Sequence, residues 1–130
     1  MSGVKAPHSV SSQKAPGAIG PYSQGVVAGN LLFISGQLPV DPATGAFVAG
    51  GIAEHAHQCL QNLSAISTAA GTSLERAVKV TVFLTDMGNF ATVNQVYGEY
   101  FKSNLPARSA VQVAALPKNA DIEIEAIVSL

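Results

Sequence analysis

The spacing of hydrophobic and polar residues varies along the chain, and in the first half it predicts a hairpin followed by a helix. Two apolar runs within residues 23–37 flank Gly29 and Asn30, which suits two strands joined by a two-residue turn. From Ile52 to Ala70 the apolar residues instead recur at the spacing of a helix with one buried face. Gly71 follows this run and is a typical C-terminal cap, so we expect the helix to end there.

The second half of the chain predicts a strand, a helix and two further strands. β-Branched residues alternate over 77–84, which is typical of a strand. Asn89 can cap a second helix, and Pro106 prevents that helix from continuing. Strands are then expected over 107–114 and 122–128. In the strand over 77–84, alternation places four side chains on one face: Val78, Val80, Val82 and Leu84.

These elements follow the order β-β-α-β-α-β-β, with a further short strand expected near Phe47. Two helices that cover one face of a mixed sheet give the compact arrangement, so we predict an α+β fold. The other sheet face has no helix, and only 12% of residues are charged, well below the roughly 25% of a typical soluble domain. We therefore expect a second subunit to cover this face. One domain is expected over 15–130, after a flexible tail over 1–14.

Composition and charge narrow the function classes. The net charge is −1 and no basic cluster is visible, which argues against binding nucleic acid through its phosphates. Cys59 is the one cysteine, so no disulfide can form within the chain and we expect a reducing compartment. Residues 1–14 lack the hydrophobic segment of a secretory signal. We predict a cytoplasmic protein, and the sequence leaves the choice between cytosol and mitochondrion open.

Charged residues in the last two predicted strands are the main candidates for chemistry. Alternation puts Arg108 on the helix-free face and turns Ser109 and Val111 toward the expected core. On the last strand, Glu123 and Glu125 alternate with apolar residues and also take the helix-free face. If the two strands are neighbours, an arginine and one or two carboxylates meet there.

Two interpretations of this polar set stay open on the residues alone. One is a solvated sheet face with a weak surface ion pair. The other is an anion site, in which a guanidinium binds a carboxylate with two parallel hydrogen bonds and a glutamate activates water. Asp121 is expected to be a solvated strand end, and the role of Glu125 is left undecided.

The spacing H-x-H-x-C over His55, His57 and Cys59 is the one candidate for a metal site. These residue types bind zinc, but residues two apart on a helix point in nearly opposite directions. We therefore predict no metal site. Cys59 falls on the apolar face of its helix and is expected to be a small buried hydrophobe.

Four separated blocks resemble the reactive intermediate deaminase (Rid) family, also called perchloric-acid-soluble translation inhibitors. The resemblance extends from Ala15 to Leu130 and is specific because the blocks occur in the family's order. They are GPYSQG at 20–25, ISGQLPVDPATG at 34–45, FATVNQVY at 90–97 and PARSAVQVAALPKNADIEIEA at 106–126.

The resemblance implies both an assembly and a reaction. It implies a chorismate-mutase-like α+β fold in which the sheets of a homotrimer form a barrel, with sites in the clefts between subunits. The implied enzyme is of the 2-iminobutanoate/2-iminopropanoate deaminase type. It hydrolyses enamines and imines such as 2-aminoacrylate and 2-iminopropionate to 2-oxo acids and ammonia, without a metal or organic cofactor. The implied partners are a small imine that carries a carboxylate and further copies of the chain, with no membrane.

By the same resemblance, three residues take catalytic roles. Arg108 matches the arginine that binds the substrate carboxylate, and Glu123 matches the glutamate that positions the attacking water. Tyr22 matches a tyrosine that lines the cleft near the imine end of the substrate.

Four further positions are implied to bind substrate: Ser35, Gly36, Asn94 and Ala110. The Ser35–Gly36 pair is expected to turn a backbone N–H toward the ligand, and Asn94 matches an asparagine of the cleft. Ala110 departs from the family, since many members carry cysteine there, but a backbone contact at this position tolerates alanine.

Other functions compatible with the resemblance remain alternatives. A non-catalytic ligand-binding or chaperone-like trimer would use the same clefts, and some family members are described as ribonucleases or translation inhibitors. Arg108 and Glu123 favour chemistry over simple binding, and the lack of basic clustering argues against RNA.

Overall fold

The structure is a computed structural model that describes residues 5–130. In this part of the chain, six strands and two helices are joined by loops and short 3-10 turns, and Val40 and Phe47 form an isolated bridge near the expected short strand. No helix among these residues is both long enough and apolar enough to cross a membrane. The strands are β1 (His8–Val10), β2 (Gly25–Ala28), β3 (Leu31–Gln37), β4 (Ala77–Leu84), β5 (Ala107–Gln112) and β6 (Ile122–Ser129); the helices are α1 (Ile52–Ala69) and α2 (Phe90–Tyr100).

One mixed sheet contains the strands in the order β1-β2-β3-β6-β4-β5. β4 and β5 run parallel, with α2 in the connection between them, and the other neighbours are antiparallel. The last strand of the sequence, β6, therefore lies in the middle of the sheet. The predicted α+β fold, with two helices and a mixed sheet, is confirmed.

The hairpin at the N-terminal end of the sheet has the predicted turn and one strand more than expected. Gly29 has a φ of +61°, a conformation that glycine adopts without steric cost. The flexible tail predicted over 1–14 needs correction, because His8–Val10 pair with the edge of β2, whose hydrogen-bonding groups would otherwise lack a partner. Residues 1–4 of that tail lie outside the described residues.

Both helices pack on one face of the sheet around a single hydrophobic core. Cys59 is fully buried there, as predicted. Gly71, with a φ of +83°, follows the end of α1 as expected of a cap. Asn89 occupies the predicted N-cap position of α2 but makes no side-chain cap bond. The side-chain cap is at the 3-10 turn before it, where Asp86 accepts from the Gly88 N–H at 2.8 Å.

The start of β4 departs from simple alternation. The register of β4 with β6 shifts between Ala77 and Lys79, so Val78 is an extra residue in a bulge. Val78 is 45% exposed, and Ala77 takes the core position in its place. The predicted common face of Val78 with Val80 was therefore wrong.

The pairing of β5 overturns the predicted orientation of Arg108. β5 pairs with β4 and not with β6, and it places Arg108 opposite Val80 and Ala110 opposite Val82. Both valines are buried in the core beneath the helices. Directly paired residues point to the same face of a sheet, so Arg108 lies on the helix side.

The helix-free side of the sheet, called the open face here, carries polar and apolar groups together. Ser109 lies on it and accepts a hydrogen bond from Lys79 Nζ at 2.8 Å. Val111, predicted to be in the core, pairs with Phe83 on this face and is 42% exposed. Phe33 on β3 is 43% exposed on the same side. Exposed apolar side chains grouped on one sheet face are typical of an interaction surface.

Candidate active site

A bulge in β3 brings Glu123 against the backbone of Gly36. The register between β3 and β6 shifts by one residue, so Ser35 and Gly36 lie opposite a single residue, Glu125. A Cβ atom at position 36 would lie 2.7 Å from the carboxyl carbon of Glu123. Glycine is therefore what leaves room for the Glu123 carboxyl group at this point.

A cavity of about 740 Å³ opens beside the bulge. It is lined by Tyr22, Ser35, Gly36 and Glu123, the group called the carboxylate half here. Tyr22 is 52% exposed, and its hydroxyl oxygen lies 3.4 Å from the Ile19 backbone nitrogen. Packing thus brings four of the seven sequence-predicted site residues to one cavity.

Ser35 is fixed by the strand before it. Its hydroxyl donates to the Ser23 carbonyl at 2.6 Å, and its backbone N–H donates to the Gln24 carbonyl at 2.9 Å. The Ser35 N–H is therefore engaged within the protein, and its hydroxyl oxygen still has lone pairs that can accept from a ligand.

The electrostatics of Glu123 suit a proton acceptor. The side chain is half-buried, and none of the ion pairs formed within residues 5–130 includes it. Burial is the main cause that raises the pKa of Glu123 above its ordinary value, and the neighbouring charge of Glu125 raises it further. A carboxylate with a raised pKa is a stronger base than an ordinary one, which favours proton abstraction from water.

Two residues of the cavity were missed from the sequence. Gln24 is buried, and its amide nitrogen donates to the carbonyls of Ser12 at 3.1 Å and Pro16 at 2.7 Å, so it fixes the wall before Tyr22. Lys118 lines the opposite wall, with a φ of 56°. The sequence carried a signal for Gln24, which is a polar residue next to an apolar strand. It carried no signal that we recognise for the backbone conformation of Lys118.

The second group of predicted site residues lies on the helix side of the sheet. Arg108 Nη1 donates to Asn94 Oδ1 at 2.7 Å, and the guanidinium carbon lies 5.2 Å from the ring centre of Phe90 and 4.7 Å from that of Tyr97. Ala110 follows Arg108 on the same face and packs against the core. Arg108, Asn94 and Ala110 are called the arginine half here.

The two halves do not meet within one subunit. Glu123 pairs with Phe83 on the open face, whereas Arg108 pairs with Val80 on the helix side. β4 separates their strands, so the predicted convergence of Arg108 with Glu123 on neighbouring strands was wrong. Arg108 nevertheless remains accessible, because β5 is the edge strand of the sheet and the side chain is exposed.

The two helical histidines have separate partners. His55 Nδ1 lies 2.8 Å from a carboxylate oxygen of Asp121, and its Nε2 lies 3.1 Å from the Val48 carbonyl oxygen. We had expected Asp121 to be a solvated strand end, and this was wrong because its carboxylate is paired with His55. His57 Nδ1 lies 3.1 Å from the hydroxyl oxygen of Tyr100. Among residues 5–130, no group of three or more His, Cys, Asp or Glu side chains could hold a metal ion.

Comparison with known proteins identifies the family. The family model described as endoribonuclease L-PSP matches residues 12–130. The chain belongs to this family. A human relative, 2-iminobutanoate/2-iminopropanoate deaminase, is 55% identical over 118 residues, which cover 91% of this chain and 86% of the relative.

Solved structures of the endoribonuclease L-PSP family superpose closely on this fold. A Yersinia pestis protein described as a member of the conserved Rid family has a TM-score of 0.93 and 43% identity, over 96% of this chain and 100% of its own. Escherichia coli TdcF with bound serine has a TM-score of 0.90 and 48% identity, over 95% of this chain and 98% of its own. The resemblance to the Rid family seen in the sequence is confirmed.

Proposed function

We propose that this protein hydrolyses 2-imino acids and their enamine tautomers to 2-oxo acids and ammonia, in a site completed by two subunits of a homotrimer. The observation that carries the proposal is the split geometry: a base in a cavity on one side of the sheet and an accessible arginine at the edge of the other. The relatives named as imine deaminases, at 52–55% identity, support the reaction class.

In the proposed reaction, Arg108 binds the substrate carboxylate and Glu123 handles the protons. One guanidinium N–H bonds to Asn94, and the others make no hydrogen bond within the described part of the chain, so they can form a two-bond fork with a carboxylate. The substrate reacts as the protonated imine. Glu123 accepts a proton from water as the water oxygen attacks the imine carbon, which gives a neutral carbinolamine. The carbinolamine nitrogen then takes the proton from Glu123, the C–N bond breaks to release ammonia, and Glu123 takes the hydroxyl proton and passes it to the departing ammonia, so that the 2-oxo acid and ammonium leave a free carboxylate.

The homotrimer supplies what one subunit lacks. Since Arg108 and Glu123 lie on opposite sides of the same sheet, a substrate held by both must sit between two copies of the chain. The exposed Phe33 and Val111 give the open face the character of a subunit interface. Ring-like closure with a heterologous contact repeats the same composite site at each interface. A barrel of three sheets, as the resemblance implies, is the form we propose.

Oxo-acid formation from 2-aminoacrylate tests the reaction. A serine dehydratase releases the enamine in place, semicarbazide traps the imine that escapes, and pyruvate is followed with and without the protein. We expect the protein to accelerate pyruvate release, and Arg108→Ala to lose most of that acceleration. Pyruvate release at the spontaneous rate, with 2-oxo acids still bound, would instead favour the non-catalytic ligand-binding alternative.

Subunit mixing tests the shared site. Arg108→Ala and Glu123→Gln chains are each expected to be nearly inactive, but a mixture refolded together restores intact sites wherever complementary chains meet. Random trimers would restore about a quarter of the sites. If both residues served one subunit's own site, the mixture would stay inactive. Wild-type chains carried through the same refolding give the reference activity.

The positions of the basic residues argue against an endoribonuclease, despite the family description. Lys79 lies on the open face, Arg108 on the helix side and Lys118 beside the cavity. Arg76 is engaged with the carbonyl of Leu130 at the end of the chain. Within residues 5–130, these four basic side chains lie on separate surfaces and form no continuous track for phosphates. The cytoplasmic location stays a prediction.

A further inference from the structure

One stripe of α2 surrounds the guanidinium of Arg108. Phe90, Asn94 and Tyr97 are spaced at i, i+4 and i+7, which places them on one side of the helix. Two of them present aromatic rings to the guanidinium carbon, at 5.2 Å and 4.7 Å, and the third accepts its Nη1 hydrogen bond at 2.7 Å.

These contacts restrain the arginine without occupying its binding edge. An exposed arginine side chain adopts many rotamers, and binding a ligand costs conformational entropy because only the binding rotamer is kept. Rings that stack on the guanidinium restrict its plane, and they leave the N–H groups at its edge unused. Asn94 accepts from Nη1, and no other hydrogen bond of this guanidinium is formed within residues 5–130, so the donors on Nε and Nη2 remain for a carboxylate.

The hydroxyl of Tyr97 is not what makes this residue useful. The side chain is 7% exposed, and its hydroxyl is buried without a hydrogen-bond partner in the described part of the chain. A buried hydroxyl without a partner is a cost to the fold. The ring is therefore the part of Tyr97 that has a defined role toward Arg108.

We propose that Phe90, Asn94 and Tyr97 are positioning residues, which hold the Arg108 guanidinium ready for the substrate carboxylate. This rests on the proposed function of Arg108. It gives Asn94 a different role from the one implied by the resemblance, since Asn94 acts through the arginine and not on the substrate. These three residues are called the platform here. Because the carboxylate is held both before and during the reaction, the platform affects KM more than kcat.

A double-mutant cycle between Tyr97 and Arg108 tests the platform. The readouts are the Kd for 2-oxobutyrate, measured by calorimetry, and the split between kcat and KM in the 2-aminoacrylate assay. Tyr97→Phe keeps the ring and should stay within about 2-fold of wild type in both. Tyr97→Leu should raise Kd and KM roughly 3- to 30-fold with kcat little changed. In the Arg108→Ala background, Tyr97→Leu should have no further effect.

Tyr100→Leu is the matched control for the cycle. It makes the same chemical change on the same helix, but Tyr100 faces His57 and does not contact Arg108. It should leave Kd at the wild-type value. If Tyr97→Leu does not fold, Phe90→Leu at the half-buried start of α2 replaces it in the cycle, with the same expectation.

The outcomes separate the platform from the proposed function. If Arg108→Ala leaves the Kd unchanged, the carboxylate role of Arg108 is wrong and the platform falls with it. If Arg108→Ala weakens binding but Tyr97→Leu weakens it equally in both backgrounds, the proposed function stands and the platform is wrong. A folded Tyr97→Leu variant with wild-type Kd would also overturn the platform.

Discussion

The carboxylate half and the arginine half belong to one sheet but are built in different ways. Glu123 lies on the central strand β6, half-buried, and its carboxyl group fits against the backbone of the bulge in the neighbouring strand β3. Arg108 lies on the edge strand β5, exposed, and is held by side chains of α2. The first half is shaped by the backbone, whereas the second depends on a flexible side chain that its neighbours restrain.

This difference matches two different chemical tasks. A base must be partly removed from water if its pKa is to rise, and the burial of Glu123 does this. The proposed task of Arg108 is to bind an anion, which requires a reachable guanidinium, and the exposed edge strand provides this. If the halves have separate tasks, substitutions in the first should lower kcat and substitutions in the second should raise KM.

Glu123→Gln is the strongest test of this division. The amide keeps the shape but cannot accept the proton, so we expect kcat to fall roughly 10²- to 10⁴-fold, with KM nearly unchanged. The measurement is initial pyruvate release from 2-aminoacrylate with semicarbazide present. A KM effect without a kcat effect would place Glu123 in binding and not in proton transfer.

Thermal unfolding provides the control for Glu123→Gln. Because the pKa of Glu123 is raised in the folded state, its contribution to stability is present below the unfolded-state pKa and is lost as pH rises through the folded-state pKa. At pH 7.5 the Gln variant should therefore unfold at the wild-type Tm or slightly above it, and the difference should shrink toward pH 4. A clearly lower Tm at pH 7.5 would assign the lost activity to the fold.

Arg108→Lys tests the arginine half. An ammonium cannot form the two-bond fork and does not stack on two rings as a guanidinium does, so KM should rise about 10- to 100-fold with a smaller change in kcat. Arg76→Lys is the matched control, because Arg76 donates to backbone carbonyls at the chain end. Both substitutions keep the positive charge, so equal effects would mean that the loss does not come from a guanidinium site at Arg108.

The two halves also differ in how well the sequence predicted them. Over residues 122–126 of β6, apolar residues alternate with Glu123 and Glu125, and a central strand has one buried face, so the side of Glu123 followed from the pattern. On β5, the residues flanking Arg108 are small and an edge strand is weakly buried. The alternation of Ser109 and Val111 predicted that they face the core. They face the other side, because parallel pairing with β4 sets the orientation of β5.

Features that depend on the backbone could not be predicted from residue types. The bulge at Ser35 and Gly36 adds one residue to a strand, and nothing in the local pattern distinguishes it from regular alternation. The hydrogen bonds of Gln24 reach back 8 to 12 residues along the chain, beyond any local period. The hairpin, both helices and the central strands were predictable because each buries one periodic face.

Gly36→Ala tests whether the backbone shapes the carboxylate half. The added methyl would lie 2.7 Å from the carboxyl carbon of Glu123, and this flexible side chain can rotate away without unfolding the sheet. We expect kcat/KM to fall about 10-fold, with little change in Tm. Gly98→Ala on α2 is the control, because a methyl there meets no atom within 4 Å. Wild-type kcat in Gly36→Ala would mean that the observed Glu123 position is not required.

Glu125→Gln should have the smallest effect and the most specific one. Partial burial is the main cause of the raised pKa of Glu123, and the charge of Glu125 is the second, so removing that charge lowers the pKa without returning it to the ordinary value. In the proposed reaction Glu123 acts as the carboxylate, so we expect activity to be lost as pH falls through its pKa. The acidic limb of kcat/KM should therefore move to lower pH in Glu125→Gln, while the rate at pH 8 stays within about 2-fold of wild type. Matched pH profiles of kcat/KM for the two proteins measure this.

Two other outcomes would change the role of Glu125. If the acidic limb does not move and kcat/KM falls equally at every pH, Glu125 is a structural residue. If the rate at pH 8 is largely lost, Glu125 takes part in the reaction beside Glu123.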